Sequence, residues 1–417
     1  MVARRNAIYL VIIGALFAGL FTGRAIFLNI AYLFGGILLL SMLWAWFAVR
    51  GVRIARMTRS RRAQVGRSFT EHFRVGNAGW LPKLWLEIRD HSTLPGHSAS
   101  HVVPSLWSRQ QYEWQIETPC TVRGEFQLGP LTITSGDPFG FFLAPRRINA
   151  VERIIVYPAM VPVDSFSLPI GLLSGGEAQR YITQNVTTNA AGVRDYVPGD
   201  SINRVHWRST ARRDRLIVKE FELDPMVDIW LFVDFSAQSL VEAPNVQRVS
   251  PLGALLPGTQ MIPPSTEEYS AVIAASLARH FIDDQRALGF SAYLPRREVL
   301  QPERGDHQLT RILESLAIAR SLSDYPLHAM LALEAHRFTR GTTLVIVTAS
   351  LNPRWVQELQ VIVRRGVRPT CVFIDPSSFD KAYLSEEIRG MLQLARIPHI
   401  PVQQGEDLSA ALSQRPI

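Results

Sequence analysis

The chain has 417 residues, with 44 Lys and Arg against 36 Asp and Glu for a formal net charge of +8, which is length enough for two or three domains with cores of their own. Residues 1–67 hold ten arginines and no Lys, Asp or Glu, leaving 34 basic against 36 acidic side chains in the remainder, so the basicity is local and nothing asks for a nucleic-acid partner. Two cysteines, Cys120 and Cys371, exclude a disulfide framework and a multi-cysteine metal site, and suit a reducing compartment.

Ala7 to Gly23 is an uncharged apolar stretch, and Ala25 to Val49 is a second, longer one ending in Trp44 and Trp46. A membrane helix needs roughly 20 apolar residues, so the pair predicts a tight transmembrane hairpin turning at Thr22 to Arg24. Arg4 and Arg5 before an apolar run also resemble a signal peptide, but a longer span follows at once. Arg4 and Arg5 precede the first stretch, Arg24 lies between, and Arg50, Arg53, Arg56, Arg59, Arg61, Arg62 and Arg67 follow the second. The positive-inside rule then places both ends in the cytoplasm of an inner-membrane protein. The arginines after the second span form a juxtamembrane collar suited to the anionic headgroups of the lipid bilayer, its first expected partner.

From about Phe69 to Pro158, short runs (LWLEI, HVVPSL, YEWQIE, GEFQLG, LTIT, RIIVYP) alternate with turns, predicting a small antiparallel sandwich. The turn Gly136-Asp137-Pro138-Phe139-Gly140 reads as structural, with its aromatics packing the sandwich edge. His91, His97 and His101 share one loop, but only Asp90 stands near as a further donor, so a metal site is not expected there.

Residues 191–236 are the most specific stretch. An Arg-Asp-Tyr-x-x-Gly-Asp turn leads into Arg204, His206, Trp207 and Arg208, then LIVKEFE and DIWLFV ending in Asp234-Phe-Ser236. This order resembles the bacterial family called domain of unknown function 58, and RGEFQLGPLTITSGDPFGFF (Arg123 to Phe142) is similar to the β-rich segment that precedes the signature there. The resemblance implies a C-terminal von Willebrand factor A-like domain. It also implies association with MoxR-type AAA ATPases, in which the A-like domain recruits such an ATPase or its client for assembly or maturation of protein complexes.

Beyond Pro225 the period changes. A strand at Ile229 to Val233 is followed by a loop at Val241 to Ser265 and a helix at Glu267 to Leu288. Then come a strand at Phe290 to Leu294, a helix near Gln308 to Ala319, a strand at Leu344 to Val347, and a helix opened by Asn352-Pro353 and closed by Gly366. A strand at Thr370 to Ile374, a helix, a strand at Ile400 to Val402 and a last helix complete the chain. Strands alternating with helices predict a doubly wound, mostly parallel α/β sheet, which is the architecture of an A domain. The expected domains are therefore a hairpin with its collar (1–62), a β-sandwich-like domain (63–160), a signature segment packing on the A-like domain (161–225), and the α/β domain itself (226–417).

Two places invite chemistry. At the carboxyl end of the first central strand, Asp234 and Ser236 stand where A domains carry an Asp-x-Ser-x-Ser site for Mg²⁺. The third position is Gln238, with Ser239 one residue late, and Thr348-Ala349-Ser350 replaces a commonly placed Asp. One carboxylate has little charge with which to dehydrate a divalent ion, so no cofactor is expected, and Mg²⁺ is the ion such a degenerate site would take. The second place is a candidate partner surface of Arg194, Asp200, Arg204, His206, Arg208 and Arg212. If Asp200 or Ser201 caps a helix, the last three arginines share one face and can fork onto carboxylates or phosphates. A solvated face balanced by Asp195, Asp200, Asp214, Glu220 and Glu222 is the plainer reading. Trp207 and Tyr196 are expected to pack this segment onto the sheet.

No Walker or dinucleotide pattern, nucleophile elbow or carboxylate pair is present. The expectation is a non-enzymatic, membrane-anchored scaffold. The enzymatic alternative is a metal-assisted hydrolase or transferase using Asp234, with a further ligand such as Asp375. An extracellular adhesin would need the opposite topology.

Overall fold

The computed structural model describes residues 2–168, 190–196, 205–213, 215–221, 228–244, 262–294 and 296–417. These fall into two compact units, one built mainly of Met1–Ala159 and the other mainly of residues from Met160 onward. The architecture is α/β overall, with two apolar helices first and sheets with helices after them.

The first unit opens with helices α1 (Val2–Thr22) and α2 (Ala25–Ala48). Both are long and apolar enough to cross a membrane, over Arg4–Thr22 and Ala25–Ala48. The turn between them needs Gly23, whose φ of 64° is a left-handed conformation that other residues resist. Strands follow at Val52–Thr58 (β1), Arg62–Gln64 (β2), Ser68–Asn77 (β3), Leu86–Asp90 (β4), His101–Val103 (β5), Gln111–Pro119 (β6), Gly124–Leu128 (β7), Leu131–Gly136 (β8), Leu143–Ile148 (β9) and Glu152–Tyr157 (β10). The sheets β1-β3-β6 and β5-β4-β8-β9 share a core that includes Phe73, Val75, Leu86, Ile88, Leu131 and Ile133. A third sheet, β2-β10-β7, covers a smaller cluster around Phe69, Cys120, Leu128 and Ile154.

The β region starts earlier than the sequence suggests. β1 pairs with β3 from Val52↔Asn77 to Thr58↔Glu71, inside the span assigned to the basic collar. The arginines there obscure a strand alternation in which Val52, Ile54 and Arg56 share one phase. Arg56 is thus no headgroup ligand. Its side chain is 2% exposed, with Nε 3.2 Å from Glu71 and Nη2 2.8 Å from Asp90. His97, fully buried, lies 3.1 Å from Glu71 and 3.0 Å from Asp90 through Nε2. The three histidines diverge: His91 meets Thr132, His97 sits in this buried quartet, and His101 meets Tyr112.

In the second unit, β11 (Ala190–Asp195) pairs antiparallel with β12 (Ile217–Phe221), and α3 (Trp207–Arg213) lies between them in sequence. Then come β13 (Ile229–Val233), α4 (Thr266–Asp283), β14 (Leu288–Tyr293), β15 (Arg297–Glu303), α5 (Asp306–Ile318), α6 (Leu327–Glu334), β16 (Thr343–Thr348), α7 (Arg354–Arg364), β17 (Arg368–Ile374), α8 (Glu386–Leu394), β18 (His399–Val402) and α9 (Leu408–Leu412). The sheet order is β15-β14-β13-β16-β17-β18, parallel throughout except for the β14–β15 hairpin. All residues of β13, β14 and β16 are buried, as a parallel sheet covered on both faces requires. One core joins sheet residues Trp230, Phe232 and Phe373 to Met330, Trp355 and Leu392 of α6, α7 and α8. Helix α7 begins and ends as its sequence indicates. Asn352 Oδ1 accepts from Arg354 N at 3.1 Å, and Gly366 (φ 89°) follows the last turn. The β14–β15 hairpin and α6 are not legible in the sequence, because REVLQPE is largely polar and α6 is only eight residues long.

Candidate functional site

In this sheet the chain leaves β13 for β14 on one side and returns to β16 on the other, so the carboxyl ends of β13 and β16 flank a topological switch point, where open α/β sheets place their ligand crevices. Asp234 stands there. Its main chain continues the ladder, N–H to Val347 O at 2.9 Å. Its carboxylate accepts from Ser236 N at 2.9 Å and from Thr348 Oγ1 at 2.7 Å. Burial pushes this carboxyl above the ordinary carboxylate range, opposed by the Ser236 N–H and by the hydroxyls of Thr348, Ser236 and Ser239.

Around Asp234 the hydroxyls are differently committed. Ser239 Oγ donates to Ser236 O at 2.8 Å, and Thr348 Oγ1 also accepts from Ser350 N at 2.9 Å. The Ser236 hydroxyl is buried without a well-formed hydrogen bond, although it lies close enough to favour the charged carboxylate. Gln238 is exposed. Asp375, at the end of β17, is bound to Ser377 through N–H (3.1 Å) and Oγ (2.6 Å), with Arg389 3.6 Å away. Its carboxylate is thus engaged by its own loop. Among the described residues no group of three or more His, Cys, Asp or Glu could hold a metal. The donors at Asp234 are one carboxylate and neutral hydroxyls, two of whose protons are already donated, which is a poor fit to Mg²⁺.

Thr348 is the partner that sequence reasoning missed. In the sequence it stands only for the lack of an acid, whereas its hydroxyl anchors Asp234 across 114 residues of chain. The available signal is a small polar residue directly ending an otherwise apolar strand.

In the signature segment, Asp200 and Arg204 lie outside the described residues, as does Asp214. Arg194 is placed in β11 by its backbone. The helix expected to run on from residue 200 or 201 is not continuous through Val205 and His206. Val205 bridges to Val218 as extended chain, and α3 begins only at Trp207. His206 opens it instead, its N–H donating to Ile217 O at 2.7 Å and its Nδ1 accepting from Ser209 N at 3.3 Å in the manner of an N-cap. Within α3, Arg208 and Arg212 are spaced i, i+4 and are both exposed. Neither makes an ion pair among the described residues, while Arg215 pairs with Asp195 at 3.0 Å. Trp207 is 63% exposed, so it does not pack the segment down as expected. Val205, Ile217 and Val218 are buried instead.

Comparison with known proteins is consistent with the sequence signature and adds little on activity. The chain is 22% identical over 251 residues to the uncharacterized protein YeaD of Bacillus subtilis (strain 168), a match covering 59% of this chain and 56% of that relative. Among solved structures, the CARDB domain of the PF1109 protein from Pyrococcus furiosus, in complex with di-metal ions, is 13% identical with a TM-score of 0.19, covering 25% of this chain and 86% of that one. The C-terminal domain of wzt is 10% identical with a TM-score of 0.20, covering 26% and 75%. At these TM-scores neither bears on the fold. What does match is the signature itself: residues 192–251 fit the family described as Protein of unknown function DUF58.

Proposed function

We propose that this protein is a membrane-anchored scaffold, held by α1 and α2, whose β sheets and C-terminal unit lie in the cytoplasm. In this reading the C-terminal unit is a von Willebrand A-like domain that offers its crest and α3 to a MoxR-type AAA ATPase or that enzyme's client. The observation that carries the reading is the sheet order β15-β14-β13-β16-β17-β18, which puts Asp234 and Ser236 at the switch point. The exposed pair Arg208 and Arg212 supplies guanidinium groups suited to carboxylates of a partner. Any nucleotide chemistry belongs to the partner, because no phosphate-binding loop is present in the sequence. The inner-membrane placement rests on the hydropathy of α1 and α2 and on the arginine distribution.

The test pairs the full chain with a purified MoxR-type ATPase from the same genome. Binding that weakens at least tenfold in Arg208→Ala/Arg212→Ala, with unchanged melting temperature, supports the surface; unchanged binding moves it elsewhere, and no binding by the parent chain removes the ATPase from the reading. A reporter fused after Arg67 should be cytoplasmic and one inserted near Arg24 external. Access of an external protease to the region after Arg67 in intact cells would reverse the topology and favour an adhesin.

The metal-assisted enzyme is kept as a second reading because of one observation, the buried hydroxyl of Ser236 that stands beside Asp234 without a well-formed hydrogen bond.

A further inference from the structure

The end of the sandwich from which the helices emerge carries an unusual surface. Four loops meet there. The α2–β1 turn is tied to the β3–β4 loop by Ala78 N to Gly51 O at 2.8 Å, and Lys83 of that loop, 2% exposed, donates from Nζ to Phe47 O at 2.7 Å. This satisfies a last-turn carbonyl of α2, and burial lowers the Lys83 pKa. The β5–β6 loop joins through Ser108 Oγ to Gly79 O at 3.0 Å, while Asn77 Nδ2 donates to Leu81 O and Trp107 O. Arg146, in β9, reaches Val49 O and Val52 O, both at 3.3 Å. The Arg5 guanidinium of α1 lies 5.8 Å from the Phe142 ring in the β8–β9 turn.

From this end project Trp80 (78% exposed), Trp107 (65%) and Phe139 (57%). Phe139 of the β8–β9 turn does not pack onto the sandwich edge as the sequence suggests. Instead Asp137 closes the turn, accepting from Phe139 N at 3.0 Å and Phe142 N at 2.7 Å, and the exposed Phe139 ring stacks on Phe141 with centroids 5.7 Å apart. Interleaved with them are exposed Arg4, Arg50, Arg109 and Arg146. The Arg50 guanidinium sits 3.2 Å over the Trp46 ring. In the segments 49–51, 78–85, 104–110 and 137–147 the one acid is Asp137, which is 3% exposed and bound to its own turn.

Two exposed tryptophans and an exposed phenylalanine among arginines, with no exposed acid in these segments, match the interface of an anionic bilayer, where aromatic rings sit at headgroup depth and guanidinium groups meet phosphates. Three separate loops presenting large apolar side chains to water would otherwise be a liability. We propose that this end of the sandwich is itself a membrane-docking surface, seating Trp80, Trp107 and Phe139 in the anionic headgroup layer of the bilayer that α1 and α2 cross. The inference rests on the transmembrane reading of those helices. Docking at three loops besides the covalent link holds the β unit upright against the membrane and fixes which face of it a partner meets.

The experiment uses the full chain reconstituted in vesicles of phosphatidylglycerol and phosphatidylcholine, with an environment-sensitive fluorophore on Trp80→Cys, Trp107→Cys or Phe139→Cys; Cys120 and Cys371 are buried. Leu33→Cys in α2 reports on the span, and Val151→Cys, beyond the far end of β9, reports on water. Docking predicts blue-shifted emission, quenching by lipids spin-labelled near the headgroup and shielding from iodide at 80, 107 and 139, with free iodide access at 151. Iodide access at 80, 107 and 139 equal to that at 151, while 33 is quenched by lipid, overturns the docking and leaves the anchor standing. Absence of lipid quenching at 33 overturns the anchor, and the docking with it. The shielding should fall in phosphatidylcholine alone or at high salt; equal shielding in both lipids overturns the role given to the arginines.

Discussion

Replacing Asp90 with asparagine should destabilise the β unit far more than its modest chemistry suggests. The Asp90 side chain, 2% exposed, lies 2.8 Å from Arg56 Nη2 and 3.0 Å from His97 Nε2, and it accepts the Ser92 hydroxyl. Burial alone would raise its pKa, but the His97 ring nitrogen beside it, the Ser92 hydroxyl and the Arg56 guanidinium prevail and hold it at about 2, against an ordinary 3.8. That depression corresponds to roughly 2 kcal/mol of stability at neutral pH. Removing one member of a buried ion cluster typically costs about 3–5 kcal/mol, because the opposite charges remain buried. Taking roughly 3 kcal/mol, and about 2–4 °C per kcal/mol for a unit of this size, the melting temperature should drop by roughly 6–12 °C. Because the folded pKa lies below the unfolded one, Asp90's contribution is complete above about pH 4 and disappears as the pH falls towards 2. The variant should therefore lose less stability than the parent across that window. Glu71 supplies the control. Burial raises its pKa against the pull of Arg56 and His97, so folding disfavours its ionised form where it favours that of Asp90, and Glu71→Gln should cost less than Asp90→Asn. The assay is thermal unfolding of the full chain in detergent micelles, followed by circular dichroism at neutral pH and in steps from pH 4 down. A melting temperature for Asp90→Asn within about 1 °C of the parent, or a larger loss for Glu71→Gln, would refute the reasoning.

Three further outcomes are expected. Glu334, wholly buried, takes two bonds from Arg297 (2.6 and 2.9 Å), one from Arg337 (2.8 Å) and one from Tyr293 Oη (2.9 Å); against burial these lower its pKa. Glu334→Ala should destabilise the C-terminal unit by about 3 kcal/mol, measured by denaturant titration. Gly289 lies under the Trp230 ring, where an added Cβ would sit 2.8 Å from Cδ2, so Gly289→Ala should cost about 1–3 kcal/mol in the same measurement. Millimolar Mg²⁺ or Mn²⁺ should leave the melting temperature unchanged, since one carboxylate with committed hydroxyls gives little occupancy; a metal-dependent rise abolished in Asp234→Ala would favour the enzymatic reading.

Local pattern is enough to read much of this chain. The lengths of the two apolar runs define α1 and α2, because a helix meets a membrane or a core through hydrophobicity summed over neighbouring residues. Strands β4 to β8 and β13 to β18 mostly follow from apolar runs bounded by turns, and α7 from its Asn352-Pro353 opening and Gly366 stop. Asp234 can be named because strand-end position is itself a local property. What these residues do with their charges is decided in three dimensions. Arg56 reads as one more collar arginine, yet its strand phase turns it inward onto Glu71 and Asp90. Thr348 reads as a missing acid until β16 is placed beside β13. Phe139 and Trp207 read as packing residues, and both face solvent. Periodicity reports that a face is buried, whereas the partner of a buried charge is set by register between strands distant in sequence, and a side chain on a turn or a short helix follows its local cap geometry rather than any period.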